Sequence, residues 1–218
     1  MKGRRPSLDA AQRTWVRQWW QALQPRDRDN NNSEDPPAPN ILRTFDRGTR
    51  AKLRRCTRAE DLLSQPAALV LADRLIRKDD SRWPLTDEPA TYLHVTLTAG
   101  ILARIKRDTT DGKTLALLLG ARAPGSDRPT MSELRFRRLQ GSRSKADLLL
   151  LMQRAVQLVD AIDVAQLADD LLTWLAEHDR PFGSASDSVK FRWAYDYYLS
   201  PRDRKAADLP VSDKELTL

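Results

Sequence analysis

Apolar residues recur along this chain at helical spacing, and no convincing period-two alternation extends beyond four residues. The pattern predicts helices and no strands. Residues 8–23 form the first expected helix, with Trp15, Trp19, Trp20 and Leu23 on one core-facing side. Residues 25–40 contain three successive asparagines and four prolines, so a mobile loop is expected there. Asp46 suits the cap of a helix beginning near Gly48. Helices are then expected over 67–78 and 88–107, the latter with a core face of Tyr92, Leu93, Leu97, Ile101 and Ile105. A short apolar helix over 114–122 ends at Gly120. Residues 144–162 and 164–178 form two strongly apolar helices, the second capped by Asp163. The last helix, 188–199, should pack Phe191, Trp193, Tyr195 and Tyr198, and a charged tail follows.

The stretch 123–129, Ala-Pro-Gly-Ser-Asp-Arg-Pro, is the best boundary in the chain. The expected organisation is all-α, with about eight or nine helices in two helical domains. Residues 1–125 make an N-terminal domain. Residues 126–218 make a compact antiparallel bundle, because the connections there are short.

Two stretches break the separation of apolar and polar faces. Residues 130–141 read as a short helix with a Thr130–Glu133 capping box and a closing left-handed Gly141. Met131, Leu134 and Leu139 fall on one side, and Arg135 and Arg138 fall within the same arc. Their stems either lie on a neighbouring element with the guanidinium at its rim, or they meet a buried acid. Arg137 points away and pairs with Glu133 at i, i+4. The second stretch is 40–66. There Arg50, Arg54 and Arg58 step by four, with Arg47 on the same side and Leu53 and Cys56 opposite. Arginines so placed are about 6 Å apart and can follow the phosphates of one strand. The plainer reading is a solvated basic face. A second possible capping box, Thr57–Glu60, would split the ladder over two helices.

Charge and composition narrow the chemistry. The formal net charge is +7, with 37 Lys+Arg against 30 Asp+Glu, which favours a polyanionic partner. Arginine dominates, and its planar fork suits phosphate. One cysteine and two histidines exclude an internal disulfide and an ordinary zinc site. No apolar run approaches the roughly 20 residues of a membrane helix. The charged N-terminus has no apolar signal core, so a cytoplasmic protein without membrane contact is expected. There is no phosphate-cradling glycine loop and no nucleophile elbow. Asp160, Asp163, Asp169 and Asp170 read as a helix cap and an outer face rather than a metal site. His94 reads as a core histidine. No cofactor is expected.

The order of features resembles the CasB family, the small subunit of the type I-E CRISPR surveillance complex Cascade. The resemblance rests on the tryptophan helix at 15–20, Arg-Gly-x-Arg-Ala-x-Leu-Arg-Arg-Cys at 47–56, and Leu119-Gly120 before the boundary. It continues through Ser-Glu-Leu-Arg-Phe-Arg-Arg-Leu at 132–139, Gln-Arg-Ala-Val at 153–156, Trp174, and Trp-Ala-x-x-Tyr-Tyr at 193–198. It implies a two-domain helical protein without enzymatic activity. Two copies would lie along the complex, against its backbone and large subunits, contacting guide RNA and target DNA and helping to hold the R-loop open. The family's basic residues correspond to Arg50, Arg54, Arg55, Arg135 and Arg138, and further to Arg58, Arg122 and Arg143. Arg47 joins them from the ladder. The competing readings are a free-standing, sequence-nonspecific helical DNA- or RNA-binding protein, a scaffold for acidic partners, and a metal-dependent nuclease, which lacks a carboxylate constellation.

Overall fold

The computed structural model describes residues 7–25, 39–76, 83–123, 125–180 and 184–199. Most of the loop expected near 25–40, and the charged tail, lie outside the described residues. Among the described residues there are ten α-helices: α1 (Ala10–Ala22), α2 (Arg47–Arg55), α3 (Ala59–Leu63), α4 (Pro66–Leu75), α5 (Pro89–Leu102), α6 (Leu115–Gly120), α7 (Glu133–Gln140), α8 (Lys145–Ala155), α9 (Val164–Asp179) and α10 (Val189–Tyr198).

Local chemistry starts several of them. Asp9 and Gln12 close a reciprocal capping box at the start of α1. Asp163 accepts from the Gln166 amide at the start of α9, and Thr114 from the Leu117 amide at the start of α6. The tryptophan stripe of α1 is buried throughout, with Trp19 fully enclosed. Buried indole N–H groups need acceptors. Trp19 Nε1 donates to the Ala67 carbonyl at 2.8 Å, and Trp20 Nε1 to the Leu102 carbonyl at 3.1 Å.

Helix α5 is the centre of the molecule. It is buried from His94 to Leu102 and is packed by α2, α3, α4, α8 and α9. Helix α1 also lies on α9, and α6 on α10. Helices before and after residue 125 therefore pack directly on one another. Gly120 permits the last contact: a Cβ there would stand 2.2 Å from the Tyr197 carbonyl oxygen.

Several expectations are corrected. Helix α8 stops at Ala155, and a 3-10 turn follows over Val156–Leu158. Ala161–Ile162 then forms a strand (β2) parallel to Arg107–Asp108 (β1), with Arg107 opposite Ala161. Two residues are too few for a visible period. Tyr197, not Tyr198 or Phe191, joins Trp193 in the core, because α6 and α7 cover that side of α10. Asp169 and Asp170 are buried rather than coating α9. Asp169 accepts from the Ser7 and Leu8 amides at 2.8 and 2.9 Å. Asp170 is 0% exposed and accepts from Trp193 Nε1 at 2.8 Å, from Gln166 and from Arg192. Burial is the larger effect on Asp170, raising its pKa to about 6 despite the Arg192 charge and the Trp193 donor. His94 is a buried histidine, with Nε2 at 3.0 Å from the Asp179 carboxylate.

Candidate nucleic-acid interface

The first group of arginines stands on α2. Asp46 starts this helix by accepting from the Thr49 amide at 2.8 Å and the Thr49 hydroxyl at 2.9 Å. Those bonds hold its carboxyl below the usual range. Leu53 faces inward and is fully buried. Arg50 follows it inward. Its Nε donates to the Ala103 carbonyl at 3.0 Å, one terminal nitrogen donates to the Ile105 carbonyl at 2.5 Å, and the other to Gln24 Oε1 at 2.6 Å. Carbonyls at a helix C-terminus lack intrahelical donors and carry partial negative charge. Arg50 thus closes the end of α5. Burial, then the neighbouring Arg54 charge, lowers its pKa.

The ladder is shortened further at its other end. The chain is extended at Cys56, and α3 begins with Arg58 in the cap position, without a side-chain capping bond. The Thr57–Glu60 box does not form. Arg58 instead pairs with Glu60 at 3.3 Å on the open surface. What remains of the ladder is Arg47, Arg54 and Arg55. All three are exposed, and none makes an ion pair or side-chain hydrogen bond. Arg104, which the sequence reading passed over, supports them from below by donating to the Arg54 carbonyl.

The second group stands on α7 and α8. Helix α7 begins at Glu133, with Ser132 in the cap position and no capping box. Thr130 donates its hydroxyl to the Ala121 carbonyl at 3.0 Å instead. Gly141 has φ −86°, so it is not left-handed. The buried side of α7 is Phe136 and Leu139, with Met131 just before the helix, while Leu134 is 80% exposed. Phe136 stacks on Tyr197 with ring centres 3.9 Å apart, which fixes the helix from behind. Arg137 pairs with Glu133 as expected. Arg135 and Arg138 meet no acid. They rim a cavity of about 290 Å³ floored by Met131, Leu139, Leu151 and Leu158, with Arg154 of α8 on the far side. The buried-acid alternative for this pair is not realised.

Arg154 was missed although its helical spacing from Leu151 and Leu158 (i+3 and i−4) was legible. The two groups are linked. Gln153, its neighbour, donates a buried hydrogen bond to the Cys56 carbonyl at 3.2 Å, tying α8 to the end of α2 one residue from Arg55. The remaining predicted residues stand apart. Arg122 pairs with Asp127 at 2.6 Å, next to the bridge between Arg122 and Pro129. Arg143 is exposed in the α7–α8 turn, where its carbonyl lies 3.2 Å from His178 Nε2.

Among the described residues no group of three or more His, Cys, Asp or Glu side chains is arranged to hold a metal ion. None of their helices is long and apolar enough to cross a membrane.

Comparison with known proteins gives two matches. The family model for CRISPR-associated protein Cse2 matches residues 49–198, from within α2 to the end of α10. The CRISPR-associated protein Cse2 of Thermus thermophilus is 32% identical over 134 residues, which are 61% of this chain and 69% of the relative. No solved structure matches the chain.

Proposed function

This chain belongs to the Cse2 family, the CasB small subunits of type I-E Cascade, and from that membership we propose that it is a non-catalytic, nucleic-acid-binding subunit of the complex. Its partners are guide RNA, target DNA, and the backbone and large subunits, with two copies per complex. It contacts strand backbones and stabilises the R-loop. The observation that carries this reading is the set of exposed arginines left without acidic partners: Arg47, Arg54 and Arg55 on α2, and Arg135, Arg138 and Arg154 around one cavity.

The energetics suit such a role. Exchange of a DNA duplex for a guide–target heteroduplex is nearly balanced, so backbone contacts of a few kcal/mol tip it. Arginine forks supply these without reading bases. Arg50, Arg58 and Arg122 contribute less, since each already has an internal partner.

The test is the quadruple substitution of Arg54, Arg55, Arg135 and Arg138 by alanine, with single-strand binding measured at two salt concentrations. Affinity should fall, and the slope of log K against log salt should flatten by about 0.7 per lost phosphate contact. Wild-type affinity and slope in this variant would refute the reading.

A further inference from the structure

The cavity between α7 and α8 has a composition that simple backbone binding does not need. Its walls are of two kinds. Arg135, Arg138 and Arg154 supply charge, and Met131, Leu139, Leu151 and Leu158 supply an apolar floor. No carboxylate, amide or hydroxyl side chain lines it. A phosphate alone would leave the floor wet, and an apolar ligand alone would leave three guanidinium groups without a partner. The occupant therefore has an apolar body joined to an anion. Its size, about 290 Å³, lies at the lower end of small-ligand pockets.

Resting on the nucleic-acid reading above, the geometry points to a pocket for one unstacked nucleotide of a bound single strand, its base on the Met–Leu floor and its phosphates on the three arginines. Single strands are commonly held by bases splayed out onto side chains, and an unpaired base leaves its stack at least cost. Arginine planes suit both parts, forking onto phosphate and stacking on base faces. The floor has no group that reads a base edge, so the pocket accepts any base. The frame is firm. Phe136, stacked on Tyr197, holds α7 from the core side, and the Gln153–Cys56 bond holds α8. The strand that enters this pocket is then led toward Arg55 and Arg54. An acidic protein segment fits less well, because the lining offers no acceptor or amide for a peptide backbone.

Two strands of equal length and charge separate these cases: a short oligothymidine, and the same backbone built of abasic units. The full chain should bind the oligothymidine about tenfold more tightly, the effect of burying one base face of about 55 Å² on an apolar floor. Leu158→Ser, which strips the apolar floor at its exposed edge without changing charge, should cut that preference severalfold and leave the salt slope as in the wild type. The wild-type comparison of the two strands stands even if this variant does not fold. Equal wild-type affinity for both strands overturns the proposal and leaves the pocket to an acidic segment of a neighbouring subunit. An undiminished preference in folded Leu158→Ser also overturns it. Weak, salt-independent binding of both strands would overturn the phosphate-contact reading as well.

Discussion

Arg50 and Arg54 lie one helical turn apart on α2, and truncating each to alanine should have opposite consequences. Arg50→Ala removes three hydrogen bonds from a charged donor, to the Ala103 and Ile105 carbonyls and to Gln24. Such bonds contribute about 1.5–3 kcal/mol each when fully buried. Arg50 is only partly buried, so water replaces some of them. Ala103 and Ile105 are themselves fully buried, so their carbonyls depend on this one side chain. A net loss of about 3 kcal/mol follows, or a urea midpoint lowered by about 1.5 M at a slope near 2 kcal/mol/M. Arg50→Lys keeps the charge without the fork and should lose most of the same stability. Arg54→Ala removes an exposed, unpaired side chain and should change stability by less than about 0.5 kcal/mol, while weakening single-strand binding. Urea unfolding followed by circular dichroism, alongside strand binding, separates the two. If Arg50→Ala unfolds at the wild-type midpoint, the assignment of its fork to the end of α5 is wrong.

Two further predictions concern the frame. Gly120→Ala places a methyl group against the Tyr197 backbone, which cannot turn aside like a side chain, so the α6–α10 contact should loosen at a cost of about 3 kcal/mol, read as a lower melting temperature. Burial raises the Asp170 pKa from 3.8 to about 6, so the folded protein holds this proton more tightly than the unfolded chain does. The stabilisation from protonating it is full below about pH 4 and is lost as pH rises to about 6, opposite to ordinary acid denaturation. Stability curves for wild type and Asp170→Asn should therefore diverge across that window, and parallel curves would refute the assignment.

Much of this was legible in the sequence. The Trp15–Leu23 stripe is core because four large apolar residues at helical spacing have nowhere else to go. The caps at Asp46 and Asp163 are local, as is the Glu133–Arg137 pair. The failures were non-local. Arg50 looked like a rung of a ladder because its carbonyl partners lie 53 and 55 residues away. Asp169 and Asp170 looked like surface because the amides, indole and guanidinium groups that satisfy them come from α1, α10 and the chain before α1. Thr130 had the spacing of a cap, and a carbonyl nine residues earlier took its hydroxyl. For the interface, the arginine-rich stretches were visible in one dimension. Which arginines remain free was decided by where α5 ends and how α8 lies on α7.

The packing of α1 on α9 has a consequence in time. Arg17 meets Asp163 at 2.7 Å across 146 residues of chain, and Asp169 holds the amides just ahead of α1. A ribosome adds about 10 residues per second, so α1 is made roughly 15 s before its partner emerges. Trp19 and Trp20 can reach Ala67 and Leu102 sooner, but the side of α1 that carries Arg13 and Arg17 waits for α9. The earliest of these helices is therefore fully seated only once α9 is made, and through that interval its α9-facing side stays open to chaperones.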